Sequence, residues 1–190
     1  MIKGSFVKYL DKLHNPNLDQ FFRFATYLGD GWSFTILSII LIFFRIREAL
    51  VAVLVFLISG GITQLLKNFV FFKADRPVKF FEGQYQFNPV EGVEWAMHHS
   101  FPSGHSTSAF ALFCYLSLLI PNKYGILCFF LALTAAISRC YLAQHFFGDI
   151  FVGSLIGVFT AVILHNSLNN EESFIGKKTF AQKSILKLKA

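Results

Sequence analysis

The chain has 190 residues, 54% of them hydrophobic and 15% charged, with 25 Phe and a mean hydropathy of +0.53. So apolar and aromatic a composition excludes a disordered chain, and equally a soluble domain that must coat its outside with polar groups. The net charge of +6 comes from Lys and Arg placed between apolar blocks, where they set topology and meet anionic headgroups; membrane lipids are the expected partners, not nucleic acid.

In chain order, residues 1–20 mix Phe6, Val7, Tyr9, Leu10 and Leu13 with Lys3, Lys8, Asp11 and Lys12, a pattern for a short amphipathic helix on the membrane surface. Asn15-Pro16-Asn17 breaks it. A first span falls within Phe21–Phe44, strongest over Trp32–Phe44 and weakened earlier by Gly29-Asp30-Gly31. A second runs from about Ala49 to Leu66, where the chain turns polar at Lys67. Residues 67–102 form the one long connection, Pro-punctuated and rich in Phe80, Phe81, Tyr85, Phe87 and Trp95, which suits a segment folded at the interface and shaping the way in for a headgroup. Further spans follow over about Ser103–Ile120, Tyr124–Ile137 and Asp149–Leu168, then a basic tail over 169–190. Gly153 and Gly157 permit close helix contact, expected inside the monomer. Cys114, Cys128 and Cys140 form no Cys-x-x-Cys and read as packing residues. No signal peptide is expected at the N-terminus.

The fold class is therefore all-α, a polytopic membrane helix bundle of about five transmembrane helices behind an N-terminal interfacial helix, with 1–190 as one domain. Residues 5–28 would have to supply any sixth crossing. With five spans, the 67–102 connection and the 138–148 turn fall on the same side, so their polar residues can meet.

Those segments hold the chemistry. Lys67, Arg76 and Arg139 on one membrane face make a site for a multiply charged anion, the arginines as planar forks and the lysine as a point charge. Pro102-Ser103-Gly104-His105 opens a span, so free backbone N–H groups and the positive helix end point together, with Gly104 allowing close approach. His145 and Asp149 stand at helical spacing, and a carboxylate on one ring nitrogen leaves the other as a nucleophile. His105 would be the acid for the leaving group. Blander roles compete for each: Lys67 as an interface anchor, Ser103 and Asp149 as helix caps, Arg139 as a topology charge. His98 and His99 lie close in sequence but have no Cys, Asp or Glu at ligand spacing beside them, so no metal site is expected.

Pro102-Ser103-Gly104-His105, with Ser138-Arg139, five residues, His145, three residues and Asp149, resembles the type 2 phosphatidic acid phosphatase superfamily over about residues 60–165. That group includes lipid phosphate phosphatases, bacterial acid phosphatases and vanadium haloperoxidases, and the span pattern fits the lipid branch. Its first motif departs here: the family has Lys, six residues, then Arg-Pro, whereas eight residues separate Lys67 from Arg76-Pro77, leaving Lys73 as the reserve candidate.

By that resemblance His145 attacks phosphorus to give a phosphohistidine, Asp149 supports it, and His105 protonates the departing oxygen and later activates water. Lys67, Arg76 and Arg139 would hold the phosphate oxygens, with Ser103 and the Gly104 amide completing the cradle. The resemblance implies a metal-independent phosphatase with no cofactor, acting on an amphiphilic lipid phosphate: polyprenyl diphosphate, phosphatidic acid, phosphatidylglycerol phosphate or lipid A. Phosphotransfer through the same intermediate and non-catalytic lipid binding are the rival functions. Basic residues favour the tail side as the inside, so the protein is expected in a bacterial inner membrane with its site facing the periplasm.

Overall fold

The computed structural model describes residues 3–169, so the tail lysines Lys177, Lys178, Lys183, Lys187 and Lys189 lie outside the described residues. The described chain is α-helical: α1 Ser5–Asp11, α2 Pro16–Ala25, α3 Gly31–Phe44, α4 Ile46–Leu65, α5 Pro77–Phe80, α6 Gly104–Leu119, α7 Gly125–Tyr141 and α8 Phe147–Asn169. Local chemistry sets several of the ends. Asn15 caps α2 by accepting the Leu18 N–H at 3.1 Å, with Pro16 in the first turn where its missing N–H costs nothing. Ser103 caps α6.

The protein is an integral membrane helix bundle. Among the described residues three stretches are long and apolar enough to cross a membrane, Ile46–Val70, Asn122–Tyr141 and Phe147–Leu168. A fourth is made if α2 with its following turn and α3 count as one span, bent by 55° at the break. Thus the weak point at Gly29-Asp30-Gly31 is a sharp bend rather than a soft stretch of one straight helix. α6, with 16 residues and about 24 Å of length, is shorter than the ~30 Å hydrocarbon layer. Counting it as a fifth crossing remains our proposal.

α6 is nonetheless central. It packs chiefly on α8 and α7, and more lightly on α4. The α6–α8 seam is a backbone-to-backbone contact: a Cβ on Gly153 would sit 2.5 Å from the Ser103 carbonyl oxygen, and one on Gly157 would sit 2.4 Å from that of Thr107. The two glycines thus act within the monomer, and they bring the start of α6 against the start of α8. Ala52, Ala111, Ala132 and Ala161 are buried in the same bundle interior, where small side chains let helices approach. Cys128 and Cys140 are buried, Cys114 partly so, and all three are free thiols.

A second core caps the bundle at the end where α7 passes into α8. Phe81, Phe87 and Val90 of the long connection pack there with Tyr141, Leu142, Phe146 and, from α1, Val7 and Leu10. So α1 turns its apolar side to the protein. Asp11, expected on its polar face, is buried and accepts hydrogen bonds from the Tyr85 hydroxyl at 2.8 Å and the Asn88 N–H at 2.9 Å. The lysines flanking it lie on aromatic faces, Lys3 over Phe80 and Lys8 over Phe81.

Candidate active site

α7 does not stop where the sequence suggested a turn; it runs on to Tyr141, so Arg139 sits on its last turn. The chain then folds back tightly, with both Gln144 and His145 donating their N–H groups to the Arg139 carbonyl at 2.9 and 3.1 Å. This places Arg139 beside His145 by local geometry alone. α8 follows, and the Asp149 carbonyl accepts the Ser103 N–H at 3.0 Å, which ties the start of α6 to the start of α8.

The convergence is a cleft of about 500 Å³ whose polar lining includes Lys67, Arg76, Gly104, His105, Arg139 and His145. Phe56, Leu57, Gly60 and Gly61 of α4 line it as well. Lys67 belongs to a π-helical turn, Leu66–Val70, that continues α4, with the Phe71 N–H bonding the Leu66 carbonyl at 2.8 Å. A π turn holds one more residue than an α turn, so it absorbs part of the longer Lys67–Arg76 spacing. Lys73 is exposed, near the Phe72 ring and away from the cleft. The structure therefore puts Lys67, not Lys73, beside Arg76.

His145 is 1% exposed, and its Nδ1 lies 3.4 Å from Asp149 Oδ2. The same carboxylate oxygen accepts the Phe146 N–H at 2.9 Å and the Ser100 hydroxyl. With Nδ1–H toward the carboxylate, Nε2 is the nitrogen that keeps its lone pair. Burial pushes the His145 imidazole well below the usual histidine range; Asp149 opposes that, and Arg76 and Arg139 add to it. A neutral imidazole at neutral pH is the form a nucleophile needs.

The cations are held by neighbours of their own. Arg76 donates from Nε to the His98 carbonyl at 3.0 Å and from Nη1 to the Gln144 side chain at 2.7 Å; burial pulls its pKa below the usual arginine value. Arg139 donates from Nη1 to Thr26 Oγ1 at 2.8 Å, and its buried Nε has no hydrogen-bond partner among the described residues. Such an unmet donor at the edge of an anion cleft is the arrangement a phosphate oxygen would complete. The Gly104 and His105 N–H groups precede the first helical bond of α6, Thr107 N–H to the Ser103 carbonyl at 3.0 Å. They are available to an anion at the helix N-terminus.

Ser103 and Asp149 do not line the cleft. Ser103 is fully buried, and its Oγ accepts from the Ser106 N–H at 3.3 Å and the Ser106 hydroxyl at 3.0 Å, the capping role its position permits. Asp149 stands behind His145. The aromatic residues of the 67–102 segment also stay out of the cleft, since the segment contributes only Lys67 and Arg76 to its lining. Phe81 and Phe87 are buried in the cap core instead, with Tyr85 and Trp95 packed against it. His98 is exposed on Asp75 at 2.8 Å, and His99 contacts the Lys67 carbonyl. Among the described residues no group of three His, Cys, Asp or Glu side chains forms a metal-ligand set.

Four residues near the chemistry escaped the sequence reading. Ser100, Gln144 and Thr26 hold Asp149, Arg76 and Arg139 respectively, and Asp30 reaches His105 Nε2 at 2.8 Å. Only Asp30 left a signal, a lone acidic residue between two glycines in an apolar stretch.

Known proteins resemble this chain in sequence and in fold. The lipid A 1-phosphatase of Rhizobium etli is 32% identical over 110 residues, 55% of this chain and 45% of that protein. That of Rhizobium johnstonii is 30% identical over 106 residues, 55% and 41% of the two chains. The chain thus spans less than half the length of these curated relatives. The crystal structure of Aquifex aeolicus LpxE superposes with a TM-score of 0.77 at 27% identity, covering 87% of this chain and 96% of that one. A transmembrane PAP2-type phosphatidylglycerolphosphate phosphatase from Bacillus subtilis shares the fold, with a TM-score of 0.69 over 86% of this chain and 83% of that one at 23% identity. The sequence model of the PAP2 superfamily matches residues 48–173, which takes in every polar cleft residue from Lys67 to His145 and Asp149 behind it. With more than half of its length matched and the motifs drawn into one cleft, the chain belongs to the PAP2 superfamily.

Proposed function

We propose that this protein is a metal-independent membrane phosphatase that removes phosphate from a lipid phosphate or diphosphate through a phosphohistidine. The observation that carries the reading is the cleft itself, lined both by Lys67, Arg76, Arg139, His105 and His145 and by Phe56, Leu57, Gly60 and Gly61 of a membrane-crossing helix. The charged groups suit a phosphate, and the apolar helix face suits a lipid body.

In the first step His145 Nε2 gives its lone pair to phosphorus. The P–O bond to the leaving oxygen breaks with its electron pair, and His105 delivers a proton to that oxygen. Asp149 stabilises the positive charge that grows on the His145 ring. In the second step neutral His105 takes a proton from water, the water oxygen bonds to phosphorus, and the N–P bond breaks to return its pair to Nε2. Lys67, Arg76 and Arg139 hold the non-bridging oxygens throughout. Three fixed cations can neutralise the charge of the transferring group, which is why no metal is required.

The names of the relatives put lipid A 1-phosphate first among substrates to try, ahead of phosphatidylglycerol phosphate, phosphatidic acid and polyprenyl diphosphate. We read the chain as one domain in a bacterial inner membrane with the cleft toward the periplasm, from its distribution of Lys and Arg. The test is phosphate release by detergent-solubilised protein with EDTA present, over those four lipids and a soluble ester. EDTA-resistant release that His145→Ala abolishes is expected. Release that needs a divalent cation, or that survives in the variant, contradicts the proposal.

A further inference from the structure

We propose that Asp30, through its contact with His105, is a positioning residue for proton transfer to the leaving oxygen, a role that rests on the phosphatase reading above. Asp30 and His105 both line the cleft, with Asp30 Oδ1 at 2.8 Å from His105 Nε2. Asp30 lies in the bend between the turn after α2 and α3, before the stretch matched by the family model, which begins at residue 48.

The ordinary explanation for an aspartate here is helix capping, since Asp30 holds the N-cap position of α3 and Asp is favoured there. The structure does not use it so. The carboxylate makes no capping hydrogen bond and turns to His105 instead. The glycines on either side fix that aim. A Cβ on Gly29 would sit 2.6 Å from the His105 carbonyl oxygen, so only glycine lets the bend press onto the first turn of α6. A Cβ on Gly31 would lie 3.0 Å from the Phe56 ring of α4. Together they seat the bend between the two helices that wall the cleft.

Charge supplies the reason for the contact. Asp30 and His105 share the cleft with Lys67 from the π-helical turn after α4, Arg76 from the long connection and Arg139 from α7. Nearby cations disfavour a protonated imidazole, yet an acid must carry its proton when substrate arrives. Asp30 is the one carboxylate among the cleft-lining residues, and it offsets them. With Nε2–H held by Asp30, Nδ1 is the nitrogen with a proton to give. Once Nδ1–H has gone to the leaving oxygen, neutral His105 keeps Nε2–H on Asp30 and offers the Nδ1 lone pair to the incoming water. Each proton is accounted for, and Asp30 remains a carboxylate throughout.

A residue that serves leaving-group protonation matters most when that group is a poor one. The experiment compares kcat/KM of wild type, Asp30→Asn and Asp30→Glu on decyl phosphate, whose alkoxide must be protonated, and on p-nitrophenyl phosphate, whose phenolate leaves unaided. Asp30→Asn is expected to lose ~10-fold or more on decyl phosphate and under ~3-fold on the aryl ester, with Asp30→Glu restoring most of the loss. Equal losses on both esters in folded protein, or no loss on either, overturn the assignment while leaving the phosphatase reading intact. Absence of release by the wild type from either ester and from the lipid panel overturns both.

Discussion

The two histidines of the cleft are each paired with a carboxylate, but the pairs are built differently. His145 and Asp149 stand four residues apart where α7 gives way to α8, both buried, with Asp149 further fixed by Ser100 and the Phe146 N–H. His105 and Asp30 come from separate parts of the chain and remain partly open, with side chains 32% and 29% exposed. The closed pair keeps a neutral imidazole with one defined lone pair. The open pair can exchange a proton with a leaving group or with water. The lesson is that one residue type becomes nucleophile or acid according to which neighbours exclude water and which supply charge.

The sharpest way to break that comparison is to remove each ring in turn and then its carboxylate. His145→Gln is expected to cost at least ~10³-fold in kcat on a lipid phosphate, because no bond to phosphorus can form without it. Asp149→Asn should cost less, about 10²-fold, since the ring is misheld but present. A His145 variant that retains near-wild-type kcat would refute the division of labour between the pairs.

The seam that joins the pairs offers a second, smaller perturbation. Gly153→Val would put side-chain carbons against the Ser103 backbone, which carries the start of α6 and hence His105. Overpacking of this kind costs ~1–3 kcal/mol, and the expected result is a lower Tm together with reduced activity. A Gly153→Val protein with unchanged Tm would show that α6 and α8 are not held as closely as described.

The mildest test leaves the protein intact. Burial holds the folded His145 pKa below the ~6.5 of an exposed histidine, so acid protonates the unfolded chain first and costs stability as pH falls below ~6.5. In ¹⁵N-histidine-labelled protein, the resonance assigned by loss in His145→Gln should report a neutral ring with Nδ1–H at pH ~6. A doubly protonated ring at that pH would contradict the burial of this site.

What the sequence disclosed, and what it withheld, follows from how far apart the interacting groups are in the chain. His145 with Asp149, and Arg139 with His145, are local relations set by helical period and a tight turn, so their spacing alone carried them. Ser103, Gly104 and His105 were legible as a helix start for the same reason. The seam at Gly153 and Gly157 was visible because only glycine permits such contact. Asp30 with His105 and Thr26 with Arg139 depend on a 55° bend, which a hydropathy pattern registers only as a weak stretch. The docking of α1 was hidden for a related reason. An amphipathic helix faces a membrane and a protein core with the same residues, and the choice was made by Asp11 finding Tyr85 and Asn88.

The most direct test of the central claim is to look for the phosphate on the protein. Enzyme given ³²P-labelled lipid phosphate and quenched in alkaline detergent should yield an acid-labile, alkali-stable phosphoprotein. His105→Ala should prolong its lifetime, since water is no longer activated, and His145→Gln should lack it altogether. Label that persists in His145→Gln, or turnover by the wild type with no labelled protein at any time point, would contradict the account.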